Sequence, residues 1–156
     1  MKHIGVEFYE NTNDFFERRE ALVLDTVQEG IHCASAEIGV PEPRTYQVDV
    51  PGRNGLLDAS ESVFGGALSF KNREIKINLW TEFDTDNHFR SFLLNKLHGK
   101  KMRFVIGDDP SYYWTGRLAV ETAKISLAIT EAVITADCEP FKYPIPMPGV
   151  EAEKSL

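Results

Sequence analysis

The chain has 156 residues, 42% of them apolar, and carries 24 acidic against 17 basic side chains, which gives a formal charge of -7. This size predicts one domain with a single core, and the acidic balance disfavours tight binding to a phosphate backbone. No apolar run can span a bilayer, and the N-terminus lacks the order of a secretory signal, so we expect no membrane insertion and synthesis in the cytoplasm.

The first half of the chain reads as short strands separated by turn residues. Residues 4–9, 23–27 and 31–38 predict strands, and capping residues predict one or two helical turns over 11–19. Two closely spaced prolines then bias the chain to an extended path. The alternation of apolar and polar residues over 45–50 predicts a half-buried strand.

This last strand runs into a loop made of Pro51, Gly52, Arg53, Asn54 and Gly55. Proline fixes φ and the two glycines permit positive φ, so the loop can hold a defined shape with Arg53 at its tip. Arg53 and Asn54 can reach an adjacent subunit from there, although a loop that merely turns the chain would have the same composition. These five residues are our candidate subunit interface.

The second half contains the clearest strand and the clearest helix. Residues 74–79 alternate between polar and apolar without error, and Trp80 interrupts the alternation. A helix is predicted between a cap at Asp84 or Thr85 and a stop at Gly99. Its apolar face consists of Phe89, Phe92, Leu93 and Leu97. This face is expected to cover a sheet, and we expect Phe92→Ala to be a damaging change and the first to test.

The last third is nearly all strand. Residues 102–106 and 112–120 predict a hairpin, in which Gly116 leaves space for a neighbour. A change of parity predicts a bulge or turn near Thr130 and Glu131. We divide the chain into a β-rich domain, 1–143, and a proline-containing, disordered tail, 144–156. The predicted class is α+β, mainly β: a β-sandwich-like domain with one amphipathic helix packed on a sheet.

The residue types that carry chemistry are better explained by structure. Cys33 and Cys138 have no CxxC partner and suit a buried apolar role. Because neighbours on a strand point to opposite faces, His32 cannot activate Cys33. Asp108 and Asp109 lie between Gly107 and a proline, where such residues form turns. We therefore predict no metal, no cofactor and no enzymatic activity.

A group of aromatic residues leaves one binding alternative open. Trp80, Tyr112, Tyr113 and Trp114 can stack on sugar rings, as in a stand-alone carbohydrate- or ligand-binding sandwich, or they can serve core packing or a subunit seam. A tail-associated hydrolase is a third class, but the sequence has no spacing of a nucleophile, base and orienting group.

A succession of short motifs over residues 21–143 is more specific than any one of them. The motifs are Leu24-Asp25, Gly30-Ile31, Pro41-Glu42-Pro43-Arg44, Val48-Asp49-Val50-Pro51-Gly52-Arg53-Asn54-Gly55, Leu57-Asp58, Phe70, Asn72-Arg73 and Asp137-Cys138-Glu139-Pro140-Phe141-Lys142-Tyr143. In this order they resemble the distal tail protein family of siphophages and related prophages. Larger members continue into a galectin-like domain, and because this chain ends soon after Tyr143 we expect no carbohydrate role from the resemblance.

The resemblance implies a structural role in a virion tail. Family members form a hexameric ring at the tail tip, which connects the tail tube protein to tip or baseplate proteins, and they carry no active site. For this chain it implies a homo-oligomer assembled in the bacterial host cytoplasm. It also implies no specific nucleic-acid binding, although DNA would pass through the lumen. Since the chain is acidic, we expect acidic side chains to line that lumen and repel DNA.

Overall fold

The computed structural model describes residues 5–11, 22–82, 88–124, 129–146 and 153–156. Except for Asn11, the helical turns expected over 11–19 lie outside these ranges, as do the expected helix caps Asp84 and Thr85. The strands are β1 (Val6–Glu10), β2 (Leu22–Asp25), β3 (His32–Ile38), β4 (Gln47–Val48), β5 (Leu57–Asp58), β6 (Arg73–Glu82), β7 (Lys101–Ile106), β8 (Tyr112–Lys124), β9 (Ile129–Cys138) and β10 (Tyr143–Pro144), and the helices are α1 (Ser60–Val63) and α2 (His88–Leu97).

Eight of these strands form one antiparallel sheet, in the order β2-β1-β7-β8-β9-β6-β3 with β10 added alongside β8. Its two outermost strands, β2 and β3, are consecutive in sequence. The Ile31 N–H donates to the Thr26 carbonyl at 2.9 Å, so the sheet curls until its edges meet at this turn. The predicted class, α+β and mainly β, is confirmed, and the expected sandwich takes the form of one curled sheet around a main core, with a smaller apolar cluster at Tyr9, Val105 and Ile145.

The core follows the alternation of the sequence. Ile75, Ile77 and Leu79 of β6 are at most 1% exposed. Gly116 on β8 leaves space for a neighbouring strand, as predicted. A Cβ atom at this position would lie 2.7 Å from the Sγ atom of Cys138. The close approach of β8 and β9 therefore requires glycine at this position.

Helix α2 packs on the core along a line of residues four apart. Phe89, Leu93 and Leu97 are buried, whereas Phe92 is only half-buried. Residues at i and i+4 lie above one another on a helix, and Phe92 falls at the margin of that line. The Lys96 ammonium group lies 6.0 Å from the centre of the Phe92 ring. Leu93 has no exposed surface. Truncation of Leu93 should therefore destabilise the domain more than truncation of Phe92.

Strand β6 does not end where the alternation does. It continues through Trp80 to Glu82. Trp80 keeps its place in the ladder opposite Glu131, and its ring stacks on that of His32 with centres 4.1 Å apart. Trp80 on the outer side of β6 thus packs against His32 of β3.

Strand β9 has no bulge near Thr130 and Glu131, and that prediction is wrong. Its register runs without a shift from Ile129 to Cys138 against β6, and from Thr130 to Cys138 against β8. Thr130 is buried and Ile129 is exposed. Because the inward residue is polar and the outward residue is apolar, the sequence pattern changes parity here although the strand is regular.

The first residues of the expected tail pack on the domain. Pro144 pairs with Tyr112 of β8. The Ile145 N–H donates to a backbone carbonyl at 2.9 Å, and its side chain is 9% exposed. Lys142 also forms a bridge with Ser155. The division of the chain after Tyr143 stays a prediction, because residues 147–152 lie outside the described ranges.

The packing of α2 generates a testable order of stabilities. Leu93→Ala should lower the free energy of unfolding by about 2–5 kcal/mol, because it leaves a cavity beneath the sheet. Phe92→Ala should cost about 1 kcal/mol, because its side chain keeps much of its contact with water. Urea unfolding followed by circular dichroism measures both, with the exposed Ser91→Ala as the control. A larger loss for Phe92→Ala than for Leu93→Ala would contradict this packing.

Candidate subunit interface

An arm of residues 39–72 leaves the sheet between two paired strands. Strand β3 ends at Ile38 opposite Ile75 of β6, so the chain returns beside the point from which it left. The Gly39 N–H donates to the Glu74 carbonyl at 2.9 Å and closes the base. None of the arm's residues belongs to either hydrophobic core cluster. The arm is thus held by its ends and lies outside the core.

The arm carries most of the exposed large apolar side chains in the described part of the chain. Of the ten large apolar residues that are exposed in the described part of the chain, six lie on the arm. They are Val40 (92% exposed), Tyr46 (48%), Leu56 (53%), Leu57 (38%), Val63 (50%) and Leu68 (61%). This concentration of exposed apolar residues on one segment makes the arm a candidate interaction surface.

The predicted loop is the tip of a short hairpin on this arm. Gln47 pairs with Asp58 and Val48 pairs with Leu57, so the strand expected over 45–50 has only two residues. All five candidate interface residues, Pro51, Gly52, Arg53, Asn54 and Gly55, are exposed. Gly52 and Gly55 have φ of +82° and +77°, which other residues rarely adopt. The structure therefore brings the five together on one projecting loop.

A carboxylate braces the base of this hairpin. Asp58 accepts a hydrogen bond from the Ser60 hydroxyl and another from the Ser60 N–H at 3.0 Å. The same hydroxyl oxygen accepts from the Tyr46 N–H at 2.7 Å. The two bonds from Ser60, first from its side chain and then from its backbone, lower the pKa of Asp58. Sequence reasoning missed this brace, although Asp and Ser two residues apart are a known turn pairing.

The rest of the arm is held by polar and aromatic contacts at its root. The Lys71 ammonium group lies 3.1 Å from a carboxylate oxygen of Glu42. The Arg44 guanidinium lies 5.6 Å from the centre of the Phe64 ring. Where the arm rejoins the sheet, the buried Arg73 lies 4.9 Å from the centre of the Trp114 ring, and burial lowers the pKa of its guanidinium.

The structure does not bring the aromatic candidates into one platform. Trp80 lies opposite Glu131, which lies opposite Ala123 of β8. The strand from Ala123 back to Trp114 is about 30 Å long at 3.3 Å per residue. Trp114 is also only 3% exposed, and Tyr112 and Tyr113 are half-buried.

The other candidate groups have structural roles. Burial raises the pKa of the Cys138 thiol to about 12 and, to a smaller extent, that of Cys33. Asp109 forms an ion pair with Lys142, which fastens the C-terminal segment. No three His, Cys, Asp or Glu side chains of the described ranges lie together as metal ligands would. Within the same ranges no helix has the length and apolar character to cross a membrane.

The comparison with known proteins rests on the fold. No protein-family model matches the sequence. No curated protein matches it either. The fold matches the crystal structure of the SPP1 Dit protein (gp 19.1), described as a paradigm of the hub adsorption apparatus in phages that infect Gram-positive bacteria. The TM-score is 0.61 and the identity 14%, over 92% of this chain and 53% of that one. The chain thus spans about half the length of this neighbour and shares its fold.

The brace at Asp58 generates a prediction about pH. A carboxylate with a lowered pKa contributes to the stability of the hairpin at neutral pH, and that contribution is lost as the pH falls through the pKa of the folded form. In an NMR titration, the Ser60 amide shift should therefore change with a midpoint below the ordinary aspartate value of about 3.9. Asp58→Asn should remove the transition. A midpoint at or above the ordinary value would contradict the brace.

Proposed function

We propose that this protein is a structural component of a phage or prophage tail. It forms a hexameric ring at the tail tip and connects the tail tube protein above to the tip or baseplate proteins below. The observation that carries the proposal is the match of 92% of the chain to the fold of a phage hub protein. The motif series over residues 21–143 supports the same assignment independently of the fold.

The arm supports assembly from identical copies. Six exposed apolar side chains on a segment without a core need a surface to cover them. An arm that leaves one side of the molecule and binds a different side of the next copy makes a heterologous contact, and such contacts generate closed rings when the rotation permits. Shape, with no chemical step, is then the working property of this protein.

The charge distribution sets a condition on the orientation of the ring. Residues 88–103 contain five Lys or Arg and no acidic residue, in a chain of charge -7. Lys96, Lys100, Lys101 and Arg117 are all exposed at this end of helix α2. A lumen that lets DNA slide should be acidic, so in the proposed ring this basic surface points away from the opening.

Two measurements on the purified chain test the proposal. Native mass spectrometry and electron micrographs of wild-type protein should show six-membered rings. Arg53→Glu should lower the fraction of rings while the free energy of unfolding in urea stays within about 0.5 kcal/mol of wild type, because Arg53 is exposed and outside the core. Arg90→Glu, an exposed arginine on α2, is the matched control. An unchanged distribution of oligomers in Arg53→Glu would remove the tip loop from the interface.

A further inference from the structure

A cleft of about 340 Å³ lies beside β2, at the end of that strand that leads into the turn toward β3. Its walls include Val27, which is 67% exposed, and Val105. Gly5 and Gly107 form part of its lining, and their backbones are in contact, with the Gly107 N–H donating to the Gly5 carbonyl at 2.7 Å. We call this cleft the acidic cleft, because its remaining lining includes two carboxylates.

The two carboxylates of the cleft face one another across neighbouring strands. Glu7 of β1 lies directly opposite Asp25 of β2 in the register of the sheet. Like charges in this position are destabilising, since their Cβ atoms are only about 4.5–5.5 Å apart. The Tyr9 hydroxyl donates to Glu7, and the Val27 N–H donates to Asp25 at 3.0 Å. Neither carboxylate forms an ion pair with a Lys or Arg of the described ranges.

A cleft with apolar walls and paired carboxylates suits an arginine. The aliphatic stem of arginine lies along apolar surface, while its guanidinium binds carboxylates through two parallel hydrogen bonds. The volume is at the lower end of the range of small-molecule sites, about 300–1,000 Å³. The cleft therefore fits one long side chain and part of the loop that carries it.

The tip loop of the arm has the complementary features. Arg53 is exposed and forms no salt bridge with a described residue. Leu56, 53% exposed, lies three residues further along the same loop and can cover the rim of the cleft. No arm residue lines the cleft of its own chain. The arm begins after Ile38, at the end of β3 that is farther along the chain from the turn beside the cleft.

We propose that Arg53 of one copy of this chain binds between Glu7 and Asp25 in the acidic cleft of the next copy. The inference rests on the proposed function and names the contact that closes the ring. It places one positive charge between two negative ones, which relieves their repulsion, and it covers Val27 and Leu56 in the same contact. Because donor and acceptor differ, the contact repeats from copy to copy around a ring.

Crosslinking of engineered cysteines tests the contact without altering its charges. The variant carries Asn54→Cys beside Arg53 and Val27→Cys on the cleft wall, and the native Cys33 and Cys138 are buried and inert. A short bifunctional thiol reagent should convert most of the protein into a ladder of crosslinked species up to the size of the ring. The matched control pairs Asn54→Cys with Ala119→Cys, which is exposed on the outer face of β8, and should stay monomeric on a denaturing gel.

A charge exchange provides the second measurement. Arg53→Glu and Glu7→Arg should each lower the fraction of rings, and the double variant should restore it. Rings of wild-type protein without crosslinking of the cysteine pair would show that the cleft has another occupant, which overturns this inference and leaves the proposed function standing. Crosslinking within one chain would overturn it in the same way. A wild-type chain that stays monomeric would contradict both.

Discussion

The pairing of β3 with β6 is the constraint on which the rest of the structure depends. It holds Ile38 opposite Ile75 and places the two ends of the arm side by side. The core residues Ile75, Ile77 and Leu79 lie on one of these strands and are almost fully buried. The arm can therefore extend from the domain without disturbing the core, and the stability of the domain does not depend on where the arm is bound.

The arm, unlike the domain, gains little stability from contacts within its own chain. Strands β4 and β5 have two residues each, and an isolated hairpin of this kind is marginal in water. Burying three or four of its apolar side chains against a neighbour, at about 1.5–3 kcal/mol each, is comparable with the cost of association, about 4–15 kcal/mol. We infer that the arm gains a defined environment through assembly. This division between a stable domain and a binding arm suits the ring that we propose.

The fold could be predicted from the sequence where side-chain burial follows a simple period. Alternation identified β6, and the position of Gly116 identified a close contact between strands. The prediction failed where burial and polarity disagree, since Thr130 is inside and Ile129 is outside. The tip loop was predictable because proline fixes φ and glycine permits the positive φ that the turn requires. The acidic cleft was not, since Glu7 and Asp25 meet only through the register of β1 and β2.

The central claim is that residues of the arm become buried between copies. Hydrogen–deuterium exchange of the arm's backbone amides, compared between monomeric and assembled protein, tests it most directly. The account predicts that amides over 40–70 exchange more slowly after assembly, while the amides of β6 and β9 are equally protected in both states. Equal exchange over 40–70 in monomer and assembly would contradict it, because the arm would then be as exposed in the ring as in the free chain.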